Sequence, residues 1–245
     1  WELLGAVPEQ ELLALAQALA SAEPLALLEG SRELLERGRE PAAVLQGLVS
    51  LLRDLVLAGV APDRLELTSF SPQGVANAAV FSQTLHVSAN PPQLGFLFRP
   101  LTAEHQGLHY VRAQGCFGFH VLSGGTAQAQ QLHQCSAKYP EGESELDAVG
   151  LSWEAFETLN APRIHDAVVA YGMQLTEEHR LANGTILVVG SVDEVHVHPS
   201  ATVHPRGHVQ HPDDLLLAQG LDTYHHSSAL VALSYAQPET HPEQL

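Results

Sequence analysis

Positive charge is scarce in this chain. Lys and Arg number 11 in 245 residues against 28 Asp and Glu, a formal net charge of −17. Nucleic-acid affinity comes mainly from clustered Lys and Arg, so this balance argues against a phosphate-backbone partner. It also disfavours anionic membrane surfaces while aiding solubility. Cysteine is scarcer still, with only Cys116 and Cys135. A chain of this size needs no disulfide, and two thiols in a reducing cytosol are the simpler reading, which makes the expected location cytoplasmic. Long apolar runs are missing: the most apolar stretch, 44–60, contains Arg53 and Asp54 and falls short of a membrane span, so it reads as a buried helix. No signal peptide is visible, and because Trp1 stands first in place of Met, targeting is not judged from this end. There is no GxxxxGK[ST] loop and no GxGxxG fingerprint, which excludes P-loop phosphate chemistry and a Rossmann dinucleotide domain.

What is present divides in two. Residues 1 to about 60 carry leucines at helical spacing. Pro8 with Glu9 and Glu11 opens a first helix, Pro24 to Arg37 forms a second with Gly38 as its stop, and a third runs from Pro41 to Gly59. Short connections predict an antiparallel three-helix arrangement. All fifteen histidines lie at or beyond His86, and Ala61-Pro62-Asp63 marks the expected boundary between a helical segment, 1–62, and a second domain, 63–245. Period-two alternation predicts a strand over 65–70, Ser71-Pro72-Gln73-Gly74 suits a type I turn, and Val75 to Leu85 reads as the returning strand. Asn90-Pro91-Pro92 is expected to be a loop, because proline cannot donate to a sheet ladder, and Leu94 to Phe98 a further strand. Beyond Pro100 the pattern predicts a short helix over 102–112 and a strand over 115–122. A polar excursion reaching His133 comes next, then mixed loop and helix over 146–159. Strands are expected over 168–176, 184–197 and 229–235, with a short helix over 212–219. Strands joined by loops and a few helices, without βαβ alternation, favour a barrel.

The stretch from Val80 to Pro100 gathers Ser82, Gln83, His86 and Asn90 at one set of strand ends and Arg99 at the other, as a polar-ligand pocket at a barrel rim requires. Ser136-Ala137-Lys138-Tyr139-Pro140, Glu145-Leu146-Asp147-Ala148 with Gly150-Leu151, Ala182-Asn183-Gly184-Thr185 and Gly220-Leu221-Asp222 follow in order. Over about residues 74–237 this series resembles the flavin reductase-like family. The resemblance implies an α+β fold, an FMN-binding split β-barrel, here preceded by the three-helix segment. The helices themselves resemble part of the tau/gamma subunit of bacterial clamp loaders, through Trp1 to Leu4, Pro8 to Leu15, Glu33 to Gly38 and Val44 to Leu55. In that family the region contributes to subunit assembly, so the chain reads as a fusion, natural or arising from fragment assembly.

The flavin likeness implies hydride transfer from NADH or NADPH to flavin N5, and a homodimer with flavin near the interface. FMN brings a dianionic phosphate. Beyond residue 66 the only cations are Arg99, Arg112, Lys138, Arg163, Arg180 and Arg206. Arg99 and Lys138 fall within family motifs beside the hydroxyls of Thr102 and Ser136; these four are the expected phosphate ligands. Phe81, Ser82 and Gln83 are expected to face the flavin ring. The plainer alternatives are surface ion pairs for the two cations and ordinary strand termination for Phe81 to Gln83. His86 and His133 are candidates for proton donation or substrate contact, with structural roles as the alternative, and Tyr139 and Tyr224 are expected to pack with a wet hydroxyl. Where the family commonly has Arg-His-Thr-Tyr and then Asn-Ile, this chain has His105-Gln106-Gly107-Leu108 and then Tyr110-Val111, and Cys135 stands in the usual place of Thr. Those losses imply weak FMN retention. Two readings of other kinds are a non-catalytic FMN-binding or assembly protein and a histidine-rich metal site. For the latter, Gly190 followed by His196-Val197-His198 matches the start of a cupin metal motif but lacks its Glu. His204, His208 and His211 lie close behind, and a solvated loop is the alternative.

Overall fold

The computed structural model describes residues 24–42, 65–100, 105–203, 209–220 and 222–227, with single positions 12, 15, 18, 44 and 45. Helix α1 spans Pro24–Glu36. Four strands follow: β1 Leu65–Phe70, β2 Ala76–Phe81, β3 Thr84–Ala89 and β4 Pro92–Phe98. Then come α2 Gln106–Gln114, β5 Cys116–Val121, α3 Thr126–Cys135, α4 Glu145–Val149, β6 Trp153–Ala155 and β7 Pro162–Ile164. Two long strands, β8 Val169–Arg180 and β9 Ile186–Val197, precede the hairpins β10 Thr202–Val203 with β11 Val209–Gln210, and β12 Leu216–Gln219 with β13 Thr223–His226.

Seven strands form one antiparallel sheet in the order β2-β1-β5-β8-β9-β4-β3. Its two edges, β2 and β3, are joined by only Ser82 and Gln83. Three Cα steps reach about 10 Å, whereas six interstrand gaps laid flat would separate the edges by roughly 29 Å. The sheet must therefore curl until its edges meet, and the result is a barrel with a seam at residues 81–84. Alternate side chains fill it: Leu94, Phe96 and Phe98 from β4, Phe117, Phe119 and Val121 from β5, and Val169, Tyr171 and Met173 from β8 share one buried cluster. Phe96 packs edge-on against Phe81, Phe98, Phe117 and Phe119, with ring centroids 4.9–5.4 Å apart. A second cluster on the outer face seats α3, α4, β6 and β7 through Leu132, Cys135, Leu146 and Ile164. Neither cysteine is in a disulfide, and both are buried.

The α+β barrel with helices ahead of it is as expected from the sequence. Helix α1 ends where Gly38 was expected to stop it: Gly38 has φ +79, and the N–H of Arg39 returns to the Leu34 carbonyl at 3.1 Å. Most of the first and third expected helices, and the strand expected over 229–235, lie outside the described residues. Ser71–Gly74 is the expected turn, with Gly74 N–H donating to the Ser71 carbonyl at 2.9 Å. Asn90 and Pro91 turn β3 into β4, the Asn90–Pro91 bond being cis.

Three expectations need correction. The returning strand does not run unbroken from 75 to 85; it breaks at Ser82–Gln83 where the chain crosses from one sheet edge to the other. The polar excursion is mostly helix α3, whose Leu132 and Cys135 supply an apolar edge too narrow to register as a periodic stripe. Residues 212–219 are not a helix: Leu216–Gln219 is a strand, paired from Leu216↔His226 to Gln219↔Thr223. The tertiary partner β13 overrides a helix-compatible local run.

Two features set the tightness of this packing. Gly190 sits in β9 between the buried Val188 and Val192; a Cβ there would lie 2.7 Å from Phe117 Cζ and 2.9 Å from the Gln174 carbonyl oxygen. Gly190→Ala is expected to lower stability by about 1–3 kcal/mol, read as a fall in the urea midpoint at unchanged slope. Glu194 caps the 156–160 loop. Desolvation opposes its charge, but the Thr158 hydroxyl, His196 and the N–H groups of Glu157 and Thr158 outweigh that and hold its carboxyl at about 2. A depressed folded-state value means the stabilisation is present above the ordinary carboxylate range and is lost as pH falls through about 2. Urea titrations at a series of acidic pH values should find that Glu194→Gln flattens this loss.

Candidate functional site

The edge of β2 explains how the seam is built. Backbone N–H groups of an edge strand point outward at every second residue and need acceptors. That of Ala78 donates to Glu145 Oε2 at 3.2 Å, and that of Val80 to Ser136 Oγ at 3.2 Å. Glu145 is buried in the first turn of α4, where its Oε1 also accepts from Asn77 Nδ2 at 2.8 Å. Burial pushes its carboxyl up, and these hydrogen bonds partly offset that. Ser144 caps the same helix by accepting from Asp147 N–H at 3.2 Å. Next in the row comes Ser82. Among the described residues the N–H groups of Ser82 and Gln83 meet no protein acceptor. The Ser82 hydroxyl donates to the Gly220 carbonyl at 2.8 Å, and the Gln83 carbonyl accepts from Leu97 N–H at 3.1 Å.

Three of the sequence motifs thus converge at one corner: Phe81-Ser82-Gln83, the Ser136–Lys138 run and the Gly220–Asp222 turn. Phe81 itself turns inward, its ring 5.0 Å from that of Phe98, which leaves backbone and not aromatic surface at the corner. Ser136 is exposed at the end of α3; having accepted from Val80, its hydroxyl proton is available to a further acceptor. Lys138 stands exposed two residues on. Arg99, also exposed, directly follows Phe98 at the end of β4. Thr102 lies outside the described residues.

Electrostatics single out the same two cations. Arg112 forks onto Glu178, Nε to Oε2 at 2.8 Å and Nη2 to Oε1 at 2.6 Å, and that contact holds the Glu178 carboxyl below its usual range. Arg163 pairs with Glu154. Arg180 adds to the field on Glu178, and Arg206 lies outside the described residues. Arg99 and Lys138 have no carboxylate partner among the described residues.

Beside the corner lies a cleft of about 550 Å³ between α3 and the β12–β13 hairpin, lined by Thr126, Ala129 and His133 on one wall and Asp222, Tyr224 and His226 on the other. The Tyr224 hydroxyl is 3.4 Å from His133 Nδ1. His86 is exposed on β3. Sequence reading overlooked two contributors. Glu145 lay inside a quoted motif but was given no part; the Ser-x-x-Asp cap at 144–147 is the signal that marks its helix turn. The α3–hairpin cleft depended on recognising 216–219 as a strand. As for the histidine-rich motif, Gly190 serves barrel packing and His196 is engaged by Glu194 at 2.5 Å. Among the described residues no group of three potential metal ligands gathers, and no helix is long and apolar enough to cross a membrane.

Comparison with known proteins bears on both parts of the chain. Residues 1–99 match domain III of the DNA polymerase III gamma and tau subunits. The last third of that match, from residue 67, falls on β1 to β4, which the structure assigns to the barrel. Among solved structures, the chain is 28% identical to a split-barrel protein from Shewanella frigidimarina NCIMB 400 classed as a flavin reductase, with TM-score 0.63 over 71% of this chain and 86% of that one. Nitrilotriacetate monooxygenase component B from Bacillus cereus shares the fold at 20% identity and TM-score 0.61, over 74% of this chain and 93% of its own. An FMN-binding protein from Thermus thermophilus does so at 18% and 0.55, over 68% and 86%. Residues 67–213, more than half of the chain, match the flavin reductase like domain, and the chain belongs to that family.

Proposed function

We propose that this chain binds FMN at the β2–β3 corner and acts as a nicotinamide-dependent flavin reductase-like oxidoreductase. The observation that carries the reading is the edge row of β2: two outward N–H groups are taken by Glu145 and Ser136, and the next, at Ser82, meets no acceptor among the described residues. The donor set suits the group. Arg99 can take phosphate oxygens in a fork and Lys138 as a point charge, with the Ser136 and Thr102 hydroxyls adding donors. The N–H groups of Ser82 and Gln83 and the Gln83 amide are matched to the carbonyl and nitrogen edges of a flat polar ring. Bound flavin supplies the hydride-accepting centre at N5; the protein's part is to orient the ring and keep water away from it. With no Rossmann fingerprint in the chain, NADH or NADPH reaches the flavin through the adjacent cleft. Loss of the family's Arg and Thr beyond Pro100 makes the FMN exchangeable.

We further infer a division at about residue 62, with the helical segment 1–62 serving assembly and the domain 63–245 the flavin chemistry, in a cytoplasmic homodimer. Analytical ultracentrifugation tests the last point, a monomer at micromolar concentration counting against it. For the site, protein soaked in FMN and desalted should retain substoichiometric flavin absorbance. Arg99→Ala and Lys138→Ala should each weaken FMN by about 1–3 kcal/mol in a fluorescence titration, and unchanged affinity would remove that residue from the site. NADH consumption on addition of FMN separates a reductase from a flavin carrier.

A further inference from the structure

His198 lies just past β9, held there by its N–H donating to the Val168 carbonyl at 2.9 Å, and His211 just past β11. Their imidazoles converge on one atom. Ser200 Oγ is 2.6 Å from His198 Nδ1 and 2.7 Å from His211 Nε2, with ring centroids 5.7 Å apart at 70°. The Ser200 N–H also donates to His198 Nδ1 at 3.2 Å, so that nitrogen is the acceptor of its ring and shares its lone pair between this N–H and the Oγ 2.6 Å away. His211 is supported in either neutral form. Its Nδ1 lies 3.2 Å from the Asp213 N–H and 3.1 Å from the Asp213 carbonyl oxygen, so it can accept from the first or donate to the second. In the second form Nε2 has its lone pair facing the same point. A backbone carbonyl taking the far N–H of an imidazole is the usual outer partner of a metal-bound histidine.

We propose that His198 Nδ1 and His211 Nε2 together bind one borderline divalent cation, of the zinc, nickel or copper type, at the position of the Ser200 hydroxyl. Metal–imidazole bonds of about 2.0–2.1 Å require each ring to close by about half an ångström as Ser200 turns aside, with water completing the shell. Both rings reach solvent, which provides an entry path. Two nitrogens suit these metals over magnesium or calcium, which prefer oxygen. His196 takes no part, because Glu194 holds its Nε2. The cation would tie the exit of β9 to the segment entering β12.

The test uses the full chain without an affinity tag, stripped with chelator and titrated with nickel or zinc chloride by calorimetry and thermal melting. One metal per chain and a saturable rise in Tm are expected. His198→Gln and His211→Gln should each raise the Kd on the order of tenfold or more, while His196→Gln leaves it unchanged. Ser200→Ala separates chelation from a merely structural network: the chelate keeps its metal response, whereas the network loses stability whether or not metal is present. No response in the unsubstituted chain, or an equal response in His198→Gln and His211→Gln, overturns the proposal. So does loss of the response in Ser200→Ala.

Discussion

Two residues, Ser82 and Gln83, carry the chain between the opposite edges of a seven-stranded sheet, and the rest of the barrel follows from that short span. Because the edges are forced together without pairing to each other, each keeps outward backbone groups that need other partners. On β2 those partners are side chains from the helical layer: the buried carboxylate of Glu145 and the hydroxyl of Ser136. The helices α3 and α4 are therefore more than outer packing. They satisfy the open edge up to the corner and stop there, so polar donors are left exactly where an apolar interior of phenylalanines ends and solvent begins.

Charge distribution reinforces this geometry. In a chain with so large an excess of carboxylates, an unpaired cation is uncommon, and Arg112, Arg163 and Arg180 sit against or near glutamates. Arg99 stands exposed at the end of β4 and Lys138 beyond α3, and among the described residues neither meets a carboxylate. In the histidine-rich stretch the imidazoles are organised by a serine hydroxyl and by backbone groups, with Glu194 the one carboxylate in contact among the described residues.

The helical and barrel parts overlap in their likenesses. The clamp-loader match extends to residue 99, yet residues 67–98 carry β1 to β4 of the sheet. Those strands share the buried aromatic cluster with β5 and β8, so their place is decided by nonlocal packing in the barrel.

The sequence by itself determined the strand and turn over 65–74, the proline turn ahead of Leu94, the long strands near 169–197, the stop at Gly38 and the family to which the chain belongs. Each of these rests on local periodicity, on proline and glycine stereochemistry, or on motifs in order along the chain. Arg99, Lys138, Ser82 and Ser136 were likewise legible as residues of interest, because hydroxyls and cations are conspicuous in an acidic chain. Only the tertiary structure decided that 216–219 is a strand, that Phe81 faces inward, and that Glu145 completes an edge 67 residues away in sequence. It also decided which of the described cations meet a carboxylate and that two histidines share one serine. Those outcomes depend on which distant segment lies opposite, and a local pattern holds no information about a neighbour brought in by the closure of a sheet.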